Sequence, residues 1–209
     1  MATIEHCLYC FEALAAHLDD RKAFTLPKFK NPSPSSADQD PITESPLFVT
    51  WNTVSRGGHS LRGCIGTFEA QDLDEGLSSY ALISALQDTR FRPISAAELP
   101  RLEVAVTLLT DFEDADDAMD WELGTHGLRI SFYWQGRRYG ATYLPDVAVE
   151  QGWTKEETVV SLMRKAGWVA RKEKWTEVEL KVVRYQGKKE RLEYAGFKRW
   201  REWVEGDEK

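Results

Sequence analysis

The stretch that most constrains this chain is Leu61-Arg62-Gly63-Cys64-Ile65-Gly66-Thr67-Phe68, where two glycines and a cysteine sit inside a run with strand chemistry. Phe48-Val49-Thr50-Trp51 precedes it and is β-branched and aromatic; Asn52 to Ser60, with Gly57-Gly58, supplies turn chemistry between the two. Together they predict a β-hairpin. Side chains alternate across a strand. Leu61, Gly63, Ile65 and Thr67 are therefore expected on one face, and Arg62, Cys64, Gly66 and Phe68 on the other. Glycine weakens a strand, and two in one strand mark a bulge or a close approach by another backbone or a ligand. A thiol one strand repeat from a guanidinium is a candidate reactive group, because a nearby cation favours the thiolate. The competing reading is a small buried cysteine serving as core.

The rest of the chain supplies elements around that hairpin. Residues 3 to 19 carry Ile4, Cys7, Leu8, Phe11, Leu14, Ala15 and Leu18 at helical spacing, with Thr3 placed to cap. Cys7-Leu8-Tyr9-Cys10 is a CxxC beside His6 and His17. No second such pair completes a four-ligand zinc set, and Cys7 is claimed by the apolar face, so no metal site is assigned here. Ala23 to Pro46 holds five prolines and several serines without periodicity and reads as an insertion loop or disordered excursion. Asp72 with Glu75 starts a helix to about Asp88. Leu102 to Leu109 is a strand, in which Glu103 breaks the apolar alternation and is expected to face a cleft or solvent.

Asp111 to Asp120 contains six acids but lacks the glycine and register of a calcium loop, and reads as an acidic connector or short helix. Gly127 to Trp134, the Gln135-Gly136 turn and Arg137 to Leu144 form a second hairpin. Pro145 opens a short helix. Thr154 and Glu157 cap another that stops at Gly167. Val178 to Val182 alternates as a half-exposed strand. Lys188 to Lys209 reads as a terminal helix or an unfixed tail.

The motifs, taken in order, resemble the AMMECR domain, named for the AMME chromosomal region linked to Alport nephritis, midface hypoplasia and elliptocytosis. They are Pro46 to Trp51, Leu61 to Phe68, Ser84-Ala85-Leu86, Asp88-Thr89-Arg90-Phe91, Glu98-Leu99-Pro100, Thr107-Leu108-Leu109, His126-Gly127-Leu128, Ala141 to Pro145 and Glu150 to Trp153. The chain resembles a eukaryotic member. The resemblance implies an α+β fold, a mainly antiparallel sheet flanked by helices, in one domain with a larger and a smaller lobe. That domain is expected to span residues 1–203, with 23–46 as an insertion and 204–209 as a charged tail. The Leu-Arg-Gly-Cys-Ile-Gly run is the family's hallmark. The family carries no settled biochemical activity, and some prokaryotic relatives occur beside radical-SAM and Memo-like proteins.

Charge and composition exclude several function classes. Net charge is −7, which works against nucleic-acid binding by bulk electrostatics. No apolar run reaches the roughly 20 residues of a membrane span, and no secretory signal is read. Three cysteines in such a chain predict reduced thiols in cytoplasm or nucleus. Acids dominate Glu103 to Glu122 and bases dominate from Arg164 onward, which reads as two solvated faces or, more sharply, as an asymmetry suited to lobe packing or a protein partner. There is no phosphate-binding loop, dinucleotide fingerprint or HExxH, and no cofactor is assigned.

The candidate binding residues are Arg62, Gly63, Cys64, Gly66, Asp88, Arg90 and Tyr143. The candidate catalytic pair is Cys64 with His126 as its base, since a cysteine nucleophile needs a base within reach. Arg62 and Arg90 suit bidentate capture of a carboxylate or phosphate, or internal pairing with Asp88 or Glu103. Two functions follow. One is an intracellular binding or adaptor protein with a cleft floored by the Leu61 strand, engaging a protein or small molecule. The other is an enzyme using Cys64, tied to radical-SAM or Memo-like systems. The residues alone leave the choice open.

Overall fold

A computed structural model describes residues 1–25 and 43–207. The insertion expected at 23–46 lies mostly outside them; β1 (Glu44–Ser55) already begins at its end. The other strands are β2 (Gly58–Asp72), β3 (Leu102–Asp114), β4 (His126–Trp134), β5 (Arg137–Tyr143) and β6 (Lys181–Glu193). The helices are α1 (Ile4–Leu18), α2 (Leu73–Leu86), α3 (Pro145–Glu150), α4 (Lys155–Ala166) and α5 (Tyr194–Asp207). The strands hydrogen-bond in the order β2-β1-β3-β6-β4-β5. The pairs β1–β2, β1–β3, β4–β5 and β4–β6 are all antiparallel. The α+β antiparallel fold expected from the sequence is what the chain adopts. Its contacts divide it into two compact units, residues 1–108 with 188–209, and residues 109–187.

The first unit is built on the β1–β2 hairpin. The expected nine-residue turn is instead Arg56-Gly57 between Ser55 and Gly58. Thr53 and Val54 are β-branched and keep pairing, with Ser60 and His59 opposite them. Leu47, Val49 and Trp51 point to the core face, where α1 and α2 cover them. Phe11 of α1 meets the Trp51 ring edge-on at 5.1 Å and stacks on Phe197 of α5 at 5.4 Å. Full burial of such side chains contributes about 1.5–3 kcal/mol each. The Trp51 indole N–H donates to the Ala81 carbonyl at 3.0 Å, so the ring is buried without an orphaned donor. Asp72 caps α2 by accepting from the Asp74 and Glu75 amides. On the polar side of α1, the fully buried Glu12 carboxylate takes Arg21 at 2.6 Å and Arg201 of α5 at 3.1 Å. Residues 188–207 are the end of β6 followed by α5, which runs past residue 203.

The second unit has its own core of Trp121, Leu128, Ile130, Phe132, Val159, Leu162, Met163 and Trp168. The β4–β5 hairpin turns at Gln135 and Gly136, both at positive φ of 49° and 75°. That pairing suits the right-handed twist of the flanking strands. The α4 capping box at Thr154 and Glu157 forms, and Gly167 ends the helix at φ 109°. Two expectations shift here. The segment Val178 to Leu180 precedes β6, following a 3-10 turn at Lys172–Glu177. The first part of the acidic run is strand, as β3 continues to Asp114. Glu113 and Asp120 then both pair with Arg184 of β6, at 2.9 and 2.7 Å.

Candidate functional site

Cys64 lies on β2, at the end of the strand order, where among the described residues one side of the backbone has no neighbouring strand. Its amide donates to Asp88 Oδ2 at 2.9 Å, and its carbonyl accepts from Arg90 Nη2 at 3.1 Å. Asp88 and Arg90 therefore stand in for the missing strand at this residue. They also bind each other, with Arg90 Nη2 on Asp88 Oδ2 at 2.6 Å and Nε on Oδ1 at 2.9 Å. The Arg90 guanidinium, with the Cys64 and Arg90 amides, holds the Asp88 carboxyl well below the usual carboxylate range. Because the Cys64 backbone groups point outward, Thr50 and Cys64 form a non-hydrogen-bonded pair, the geometry that brings side chains closest. The Thr50 hydroxyl accordingly lies 3.1 Å from Cys64 Sγ.

The β1–β2 register slips between Trp51 and Asn52, leaving Arg62 as the extra residue of a bulge. Its side chain turns to Glu98, with Nε 2.8 Å from Oε2 and Nη2 3.2 Å from Oε1. Internal pairing was expected for Arg62 and Arg90, for example with Asp88 or Glu103; Arg90 takes Asp88, and the bulge directs Arg62 to Glu98. Glu98 in turn caps Ser95, and its carboxyl is held down chiefly by Arg62. The two glycines serve packing. A Cβ on Gly63 would stand 2.1 Å from the Ser84 carbonyl oxygen of α2. One on Gly66 would stand 2.3 Å from the Leu47 oxygen and 2.4 Å from the Phe48 ring. Phe48 lies edge-on to Phe68 at 5.1 Å, so half-buried Phe48, Thr50, Cys64 and Phe68 share the face opposite the helices.

Arg62, Gly63, Cys64, Gly66, Asp88 and Arg90 are therefore brought together in the first unit. His126 and Tyr143 belong to the second, and each has a local partner there. His126 Nδ1 accepts from the Glu122 amide at 2.9 Å, which makes it part of a turn. The Tyr143 hydroxyl bonds Ser161 Oγ at 3.1 Å, and Lys165 Nζ sits 4.6 Å over its ring. Cys7 and Cys10 are fully buried in α1. Burial pushes the Cys7 thiol up to about 12 and raises Cys10 well above its ordinary value. An open depression of about 710 Å³ in the second unit is lined by Asp114, Ser131, Tyr133, Arg138, Glu179 and Lys181. Its lining contains none of the candidate binding or catalytic residues.

Sequence reasoning singled out Glu103 but missed its partners Asn52 and His59. Glu103 does not face solvent; its side chain is 6% exposed. Asn52 Nδ2 donates to Glu103 Oε1 at 3.0 Å, and His59 Nδ1 lies 3.2 Å from Oε2. The one available signal was the acid interrupting an apolar strand.

A model of the AMMECR1 family matches residues 7–190. An uncharacterized protein of Arabidopsis thaliana is 41% identical over 199 residues, covering 94% of this chain and 87% of the relative. One of Schizosaccharomyces pombe is 46% identical over 164 residues, covering 78% and 80%. The crystal structure of an uncharacterized Pyrococcus horikoshii protein matches with a TM-score of 0.66 at 27% identity, covering 90% of each chain. Among the described residues no helix is long and apolar enough to cross a membrane. With a family match over most of its length and the Leu61–Phe68 run built into its edge strand, the chain belongs to the AMMECR1 family.

Proposed function

We propose that this chain is a binding or adaptor protein whose working surface is the β1–β2 face carrying Phe48, Thr50, Cys64 and Phe68. The observation behind it is the partner of the thiol. Cys64 meets a hydroxyl at 3.1 Å, and a threonine hydroxyl is no general base. The neighbouring charges are engaged in holding the strand: Arg62 by Glu98, Arg90 by Asp88 and the Cys64 carbonyl. What remains is a rigid, half-buried shelf of two rings, a hydroxyl and a thiol, suited to an apolar anchor of a polypeptide partner. Residence in the cytoplasm or nucleus belongs to the same reading, supported by three free cysteines.

The test has two arms. A photo-crosslinking amino acid replaces Phe48 in the full chain inside its cells of origin. The reading expects one discrete, stoichiometric polypeptide adduct, abolished by Thr50→Arg while the fold stays intact by circular dichroism. In parallel, iodoacetamide labelling at neutral pH should modify Cys64 before Cys7 and Cys10, at the rate of an ordinary thiol. No specific adduct, or labelling of Cys64 far faster than a free thiol, overturns the adaptor reading; the latter favours a cysteine enzyme.

A further inference from the structure

We propose that His59, Glu103 and Glu193 form a binding site for one divalent first-row transition-metal ion, with Zn²⁺ as the best fit. Their ligand atoms all lie within 4.8 Å of one another, contributed by β2, β3 and β6. The strand register explains the convergence. Asn52 stands opposite Glu103 on β3, and Val54, two residues along the same face of β1, stands opposite His59 on β2. β6, which carries Glu193, is next to β3.

The distances suit a metal. Zinc bonds to imidazole nitrogen and carboxylate oxygen are about 2.0–2.2 Å, which at a tetrahedral angle separates two ligand atoms by about 3.3–3.5 Å. His59 Nδ1 and Glu103 Oε2 are 3.2 Å apart. Asn52 supplies a second, independent feature. Its amide donates to Glu103 Oε1 and leaves Oε2 directed at the histidine, which is how outer hydrogen bonds orient a ligating carboxylate. Glu103 is buried, and a buried carboxylate is costly unless a compensating charge or donor meets it. An ion between it, an imidazole and a second carboxylate provides that charge. His59 and Glu193 are exposed, so the ion has an entry path and a fourth position open to water. One nitrogen and two carboxylate oxygens match zinc and its first-row neighbours better than calcium, which takes six to eight oxygens.

The site is independent of the binding reading for the Phe48–Cys64 shelf. Its test uses metal-free full-length protein carrying Cys64→Ser, so that no accessible thiol competes for the ion. Zn²⁺ is titrated against a chromophoric chelator. The proposal expects one equivalent bound, with affinity reduced more than about 10-fold by His59→Ala and by Glu193→Gln, both at exposed positions. Asn52→Ala should reduce it by about 10–100-fold, the usual range for an outer-shell partner, while His126→Ala leaves it unchanged. Co²⁺ should give the intense visible absorption of a four-coordinate site, lost in His59→Ala. Added Zn²⁺ should raise the thermal midpoint of the parent and not of the variants. Absence of stoichiometric binding, or equal affinity in parent and variants, would show a His–Glu hydrogen bond only and overturn the proposal.

Discussion

Single residues around Cys64 act through the backbone. Gly63 lets α2 lie against β2, because a Cβ there would collide with the Ser84 carbonyl oxygen. Gly63→Ala should therefore cost about 1–3 kcal/mol or more by overpacking, read as a lower denaturant midpoint at unchanged slope. Asp88 makes a separate prediction. Its folded pKa lies below the unfolded value of about 4 because Arg90 and two amides favour the carboxylate. The stability it contributes is thus fully present above pH 4 and lost as pH falls from there toward the folded value. Asp88→Asn should destabilise the protein by about 1–3 kcal/mol at neutral pH, since the variant cannot hold Arg90 as a carboxylate does. The gap to the parent should narrow below pH 4, as denaturation across a pH series will measure. At this scale the sequence was partly legible. It named Arg62, Cys64, Asp88 and Arg90, but spacing could not show that a bulge sends Arg62 to Glu98 or that Asp88 and Arg90 grip the Cys64 backbone.

Elements were read best where local signals suffice. The α4 capping box with its Gly167 stop and the Gln135-Gly136 hairpin form as the sequence reads, because these signals act within a few residues. Strand ends were read less well. β1 and β2 extend through the expected turn, and β3 carries into the acidic run, because pairing with a neighbour overrides local propensity. α5 owes its place to tertiary partners. Phe197 is buried against Phe11, and Arg201 reaches the buried Glu12 from the far end of the chain. Glu12→Ala should cost about 1.5–3 kcal/mol, since Arg21 and Arg201 both lose their buried partner and keep only the surface carboxylates Asp19 and Glu205. Arg201→Met should cost less, because Arg21 and the Phe24 amide remain on the carboxylate. Chemical denaturation of both variants, each compared with the parent, checks the order.

For the molecule as a whole, the division into two units carries the prediction. Residues 109–187 are continuous in sequence and hold their own core, including Phe132, Met163 and Trp168. Expressed alone, this fragment should show a cooperative thermal transition by circular dichroism, with the near-ultraviolet signal of buried tryptophan. A featureless melt would mean that its core depends on the remainder of the chain. Residues 1–108 have no such independence, since Phe197 and Val204 belong to the same unit from the far end of the chain. Deleting α5 should therefore expose Phe11 and the Glu12 carboxylate and abolish cooperative unfolding of that unit.

The sequence by itself determined the family, the helices and hairpins with strong local signals, and the importance of Leu61 to Phe68. Those properties are written in residue order and in spacings of two to four positions. Only the tertiary structure decided what Leu61 to Phe68 does: two glycines admit a helix backbone and an aromatic ring, and an ion pair from beyond α2 completes the open edge at Cys64. It also decided that Glu103 meets His59 and Asn52. Such meetings depend on strand register and on a one-residue bulge, and a shift of one residue turns every side chain to the opposite face.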